Sequence, residues 1–101
     1  MIRGEPHNQR MTVLQVAPLS NELTTALRER FDARVLPARD RDAFLRTHGA
    51  DVTVAVTSGG GGVDAGLLGA LPRLAAVVNF GAGYDSTDVA ALRERGVVLS
   101  N

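Results

Sequence analysis

The chain has no cysteine and no lysine, and all eleven of its basic residues are arginine. The first absence excludes disulfides, thiol nucleophiles and zinc-thiolate sites. The second excludes a Schiff-base lysine, a P-loop lysine and the lysine of a phosphorelay receiver. Net charge is zero, so there is no electrostatic footprint for nucleic acid or an anionic membrane surface. No apolar run approaches the roughly 18 residues that span a bilayer, and the first ten residues lack the apolar centre of a signal peptide. These absences predict a cytoplasmic protein without a nucleic-acid or membrane partner. Acid-base chemistry is thin as well. Of the two histidines, His7 lies in a polar N-terminal stretch and His48 closes a helix, where an imidazolium serves the helix dipole.

What is present is ordinary in amount and regular in arrangement. At 101 residues, 45% hydrophobic and 22% charged, the chain suits one soluble domain with an adequate core. Met1 to Arg10 has no period and is expected to be a disordered tail, with Met11 a second candidate start. Apolar runs at Val13–Ala17, Ala33–Leu36, Asp51–Thr57, Leu74–Phe80 and Val97–Leu99 predict five strands. Between them lie four helices. The first is capped by Ser20, with Leu23, Leu27 and Phe31 on one stripe. The second is capped by Asp40, carries Phe44 and Leu45, and ends at Gly49 in the C′ position. The third runs from Asp64 to Leu71 and is stopped by Pro72. The last runs from Asp85 to Arg95, with Asp85, Ser86 and Thr87 capping it, Asp88 in its first turn and Gly96 ending it. Strict alternation with short connections predicts a doubly wound parallel sheet of order 2-1-3-4-5, the flavodoxin-like α/β arrangement. Its last helix is missing, so the fold is expected to be incomplete at the far edge.

In such a sheet, strands three and four are neighbours and their glycine loops face one crevice. The first loop, Ser58-Gly59-Gly60-Gly61-Gly62, offers only main-chain N–H groups past its serine. It reads either as a nest for a carboxylate or phosphate or as a plain surface turn. Gly60-x-Gly62-x-x-Ala65 meets the dinucleotide fingerprint only formally. The next strand ends in Asn79 and Phe80, where an acid should take the ribose hydroxyls. The second loop, Gly81-Ala82-Gly83, leads into Tyr84 and Asp85. No base, orienting acid and substrate clamp come together anywhere in the chain.

The stretch VTSGGGGVDAGLLGALPRL leading into VVNFGAGYDSTDVAALRERGVVLSN resembles the D-isomer specific 2-hydroxyacid dehydrogenase family, most closely its glyoxylate and hydroxypyruvate reductase branch. The specific part is the G-x-G-Y-D turn followed by D-x-A-A-x-x-x-x-G-V. The resemblance implies that residues 11–101 are the N-terminal part of a flavodoxin-like substrate domain. An NAD(P)-binding domain, holding the family's Arg-Glu-His set and dinucleotide glycines, would follow a Thr-Pro hinge and is absent here. It further implies that Ala82 and Gly83, with Ser58, Gly59 and Gly60 opposite, hold the carboxylate of a small 2-oxo or 2-hydroxy acid. NAD or NADP belongs to the full-length parent, as does a homodimer. This chain alone is expected to bind no cofactor and to contain no catalytic residue. The other reading is a stand-alone flavodoxin-like anion-binding or regulatory module without catalysis.

Overall fold

The computed structural model describes residues 11–58, 61–80 and 87–100. The expected N-terminal tail lies outside them. Five strands, β1 (Thr12–Gln15), β2 (Asp32–Val35), β3 (Val54–Thr57), β4 (Ala76–Asn79) and β5 (Val98–Ser100), alternate with helices α1 (Asn21–Arg30), α2 (Arg41–His48), α3 (Ala65–Gly69) and α4 (Val89–Glu94). The sheet is wholly parallel, in the order β2-β1-β3-β4-β5, as the alternating sequence predicts.

Side chains alternate across the sheet and so divide the core in two. Leu14, Ala55 and Val77 face α2, α3 and α4, where Phe44, Leu45, Leu67, Leu68, Leu71 and Leu92 complete the larger cluster. Val13 and Val56 face α1, meeting Leu23, Leu27 and Phe31, the stripe read from the sequence. Beyond the reach of α1 that second face is more exposed, with Ala76 and Val78 only half-buried. Val98 stands in register with Ala76 and Val54 yet is 62% exposed. Among the described residues, no helix covers this end of the sheet.

Several boundaries differ from expectation, each for a local reason. The ladder is shorter than the apolar runs. Asp51 belongs to a 3-10 turn, Gly49–Asp51, and Leu74 closes a turn onto the Leu71 carbonyl. The last helix starts at Val89, not at Asp85, and its cap is Asp88, whose carboxylate accepts the Ala91 N–H at 3.0 Å. Asp85 and Ser86 lie outside the described residues. Thr87 does not cap this helix; its hydroxyl accepts from Val63 instead. Asp40 occupies the N-cap of α2 but with φ +57° and without a side-chain cap bond.

Two glycines end helices for different reasons. Gly96, at φ +71°, supplies the left-handed residue that closes α4. Gly49 is right-handed helical, at φ −61° and ψ −35°, so it is not a left-handed C′ residue. A Cβ built there would lie 2.4 Å from the Ala70 carbonyl oxygen. Close approach of the α2 end to the α3 end requires that glycine. The α3 end is also held from the other side. The Arg95 guanidinium donates to the carbonyls of Leu68 at 2.6 Å, Leu71 at 2.9 Å and Pro72 at 3.2 Å, adding a charged donor to Leu68 and Leu71 carbonyls that also accept the N–H groups of Leu71 and Leu74.

Candidate functional site

β3 and β4 run side by side, with Thr57 opposite Asn79, so residues following both strands emerge together at one end of the sheet. The ladder continues one step past β4, since the Phe80 N–H donates to the Thr57 carbonyl at 2.8 Å. That bond fixes the near ends of the two glycine loops to each other. The far ends are fixed at Val63. Its N–H donates to Thr87 Oγ1 at 3.1 Å, and its carbonyl accepts from the Asp88 N–H at 2.9 Å. Each loop is therefore fastened to its neighbour at both of its ends. Loops that leave adjacent strands usually share only the strand end.

Within the first loop the Gly61 N–H donates back to the Ser58 carbonyl at 3.3 Å, closing a tight turn. The Thr57 hydroxyl, 1% exposed, lies within bonding distance of the Ser58 carbonyl at 3.2 Å and bonds the Gly61 carbonyl. Gly61 packs so near the loop after β1 that a Cβ on it would sit 3.0 Å from Ala17 Cβ. A side chain there would require Ala17 or the turn to give by a few tenths of an ångström.

Of the residues expected to form the site, Ser58 stands half-buried at the end of β3, beside the turn just described. Gly59, Gly60, Ala82 and Gly83 lie outside the described residues, as do Tyr84 and Asp85. Thr57, Val63, Thr87 and Asn79 are the residues that sequence reasoning missed. A signal was available for two of them: Thr57 and Asn79 are polar residues in the core-facing phase of otherwise apolar strands, and both are buried. His48, expected to serve its helix end, lies with its ring 4.8 Å from that of Phe44, one turn earlier on α2.

Two features of the described residues are unfavourable to a dinucleotide. Its pyrophosphate would need the open N–H groups of the helix after β3. That helix has five residues, and one of its first N–H groups, that of Leu67, already donates to the Asp64 carboxylate at 2.8 Å. The strand after it, β4, ends in a buried amide, Asn79, where an acid would be needed for the ribose hydroxyls. Among the described residues no group of three His, Cys, Asp or Glu side chains could hold a metal ion, and no helix is long and apolar enough to cross a membrane.

Two open grooves flank these loops. One of about 620 Å³ lies at the same end of the sheet, beyond β1 and β2, lined by Gln15, Val16, Leu19, Leu36 and Pro37. The larger, about 720 Å³, runs between α2 and α3 and meets the glycine loops only near Asp64.

The family model for the D-isomer specific 2-hydroxyacid dehydrogenase catalytic domain matches residues 12–101. The chain belongs to this family. Glyoxylate/hydroxypyruvate reductase A of Arabidopsis thaliana is 31% identical over 90 residues, 88% of this chain and 29% of that protein. Hydroxyphenylpyruvate reductase of Plectranthus scutellarioides is 32% identical over the same length. The 2-hydroxyacid dehydrogenase of Ketogulonicigenium vulgare superposes with a TM-score of 0.86 at 33% identity, over 91% of this chain and 29% of that one. The NADPH-dependent glyoxylate/hydroxypyruvate reductase of Sinorhizobium meliloti, solved with NADP and malonate, gives a TM-score of 0.76 at 29% identity, covering 92% of this chain and 28% of that one. The chain thus spans under a third of the length of these 2-hydroxyacid dehydrogenase relatives.

Proposed function

We propose that residues 11–101 are the N-terminal part of the substrate domain of an NAD(P)-dependent D-2-hydroxyacid dehydrogenase that reduces a small 2-oxo acid such as glyoxylate or hydroxypyruvate. The role of this part is to hold the substrate carboxylate. Main-chain N–H groups of Gly59, Gly60, Ala82 and Gly83, with Ser58 beside them, are assigned to that anion. Supporting the assignment is one observation above all, the fastening of the two glycine loops to each other at both ends, Phe80 to Thr57 and Thr87–Asp88 to Val63. A loop whose two ends are already tied binds an anion at a lower ordering cost than a loop free at one end. Hydride transfer and proton transfer belong to the nicotinamide cofactor and to residues beyond this chain. A cytoplasmic compartment and a small-acid partner go with the same assignment.

Titration of the isotopically labelled chain with glyoxylate tests it. A handful of amide hydrogen bonds, each worth about 1 kcal/mol net, gives a dissociation constant in roughly the millimolar range. Amide shifts should concentrate at Ser58, Gly59, Gly60, Ala82 and Gly83, and Gly83→Val should abolish them by blocking close approach of the anion. Shifts centred on Ser20 or His48 instead would refute the assignment and favour an anion-binding module of another kind.

A further inference from the structure

Thr87 has no partner in the helix it precedes. Asp88 caps α4, and the Thr87 hydroxyl reaches across 24 positions of sequence to the N–H of Val63. Val63 is wholly buried, so that N–H has no water to fall back on once the hydroxyl is gone. The neighbouring bond, from the Asp88 N–H to the Val63 carbonyl, is main chain to main chain and is present whatever the side chain at 87. The hydroxyl therefore turns a single attachment into a two-point one. Two bonds to both faces of one peptide segment fix its rotation as well as its position, and the chain that leaves this segment backwards is the glycine loop.

We infer that Thr87 is a positioning residue for carboxylate binding: it acts through Val63, tying the end of the loop after β3 to the end of the loop after β4. The inference rests on the carboxylate site proposed above. It also makes a reciprocal claim, because any contact that favours the bound arrangement is itself favoured by binding. Glyoxylate should slow exchange of the Val63 amide hydrogen.

The experiment uses the whole chain, with glyoxylate as the probe, in three forms: unchanged, Thr87→Val and Thr87→Ser. Valine has the shape of threonine and cannot accept a hydrogen bond; serine retains the acceptor. In T87V, Val63 amide protection should fall, and the glyoxylate dissociation constant should rise about fivefold to tenfold, the scale expected when roughly one residue of loop must be ordered on binding. T87S should restore both to within about twofold of the unchanged chain. A purely structural role would lower the melting temperature and leave the dissociation constant alone. T87V that binds like the unchanged chain after losing Val63 protection overturns the inference, and so does Val63 protection that survives the substitution. Should T87V fail to fold, the unchanged chain still decides: exchange at Val63 that glyoxylate does not slow at saturation overturns the role of Thr87. Absence of glyoxylate binding in the unchanged chain overturns the carboxylate site itself, a separate and recognisable outcome.

Discussion

Replacing Gly49 by alanine sets two physical effects of opposite sign against each other. At φ −61° and ψ −35° the backbone suits alanine, and the loss of glycine's freedom in the unfolded chain favours the substitution by about 0.4–1 kcal/mol. Against this, the new methyl carbon would start 2.4 Å from the carbonyl oxygen of Ala70 and 3.5 Å from its carbonyl carbon. Both atoms are backbone, at the end of a helix whose carbonyls at Leu68 and Leu71 are gripped by Arg95. Neither side of the contact is a flexible side-chain tip, so the 3-10 turn or the α3 end must move by close to an ångström. Overpacking of that kind costs about 1–3 kcal/mol. The net is a destabilisation of about 1–2 kcal/mol, or a fall in melting temperature of roughly 5–15 °C for a domain of this size. Gly69→Ala is the matched control. It lies in α3 with nothing within 4 Å of its added carbon, so only the favourable term operates and melting should rise by a few degrees. Thermal unfolding followed by circular dichroism reads both. A Gly49→Ala chain that melts at or above the unchanged one would show that close packing of the α2 and α3 ends is not what holds glycine there.

Three further outcomes follow from the same structure. Arg95→Ala removes three hydrogen bonds to the α3 end and should cost about 1 kcal/mol in denaturant unfolding, a figure already reduced for the exposure of the arginine; no change in midpoint would deny the clamp. Val98→Thr, at a position 62% exposed, should shift stability by under about 0.5 kcal/mol, whereas Val77→Thr, wholly buried on the other face of the neighbouring strand, should cost about 1–3 kcal/mol through its unpaired hydroxyl; equal effects would mean that the face bearing Val98 is covered. The purified chain mixed with NADH and glyoxylate should show no loss of absorbance at the nicotinamide band, because hydride transfer is assigned to residues beyond this chain, and turnover that tracks the chain through purification would contradict this.

The sheet was legible because its punctuation is chemical. Pro18 and Pro37 cannot continue a ladder, glycine loops follow β3 and β4, and each intervening segment has either a helical apolar stripe or a capping residue. Sequence order then fixes the topology, since short right-handed crossovers leave few alternatives. The site was legible as a location: the ends of β3 and β4. Its fastenings were not, for Thr87 and Val63 are partners only once strands β3 and β4 have brought their loops together, and no local pattern encodes a bond across 24 residues. The cap of α4 was misplaced for a related reason. Asp85, Ser86, Thr87 and Asp88 all have capping side chains, so composition allows a start at any of them, and the tertiary bond that occupies Thr87 leaves the cap to Asp88. Gly49 misled because glycine after a helix usually signals a left-handed turn, and only packing against Ala70 reveals the steric reason for it.

The Arg95 grip orders events during synthesis. A ribosome delivers α3 some two dozen residues before it delivers Arg95, and until then the carbonyls at 68 and 71 accept only the local N–H groups of Leu71 and Leu74. The helix that follows the first glycine loop thus stays provisional while the chain is short. N-terminal segments fold as they emerge, but here Val63, at the end of the first loop, gains its partners only after Thr87 and Asp88 have been made. A nascent chain stalled before that point carries every residue of the first loop and none of its outer support.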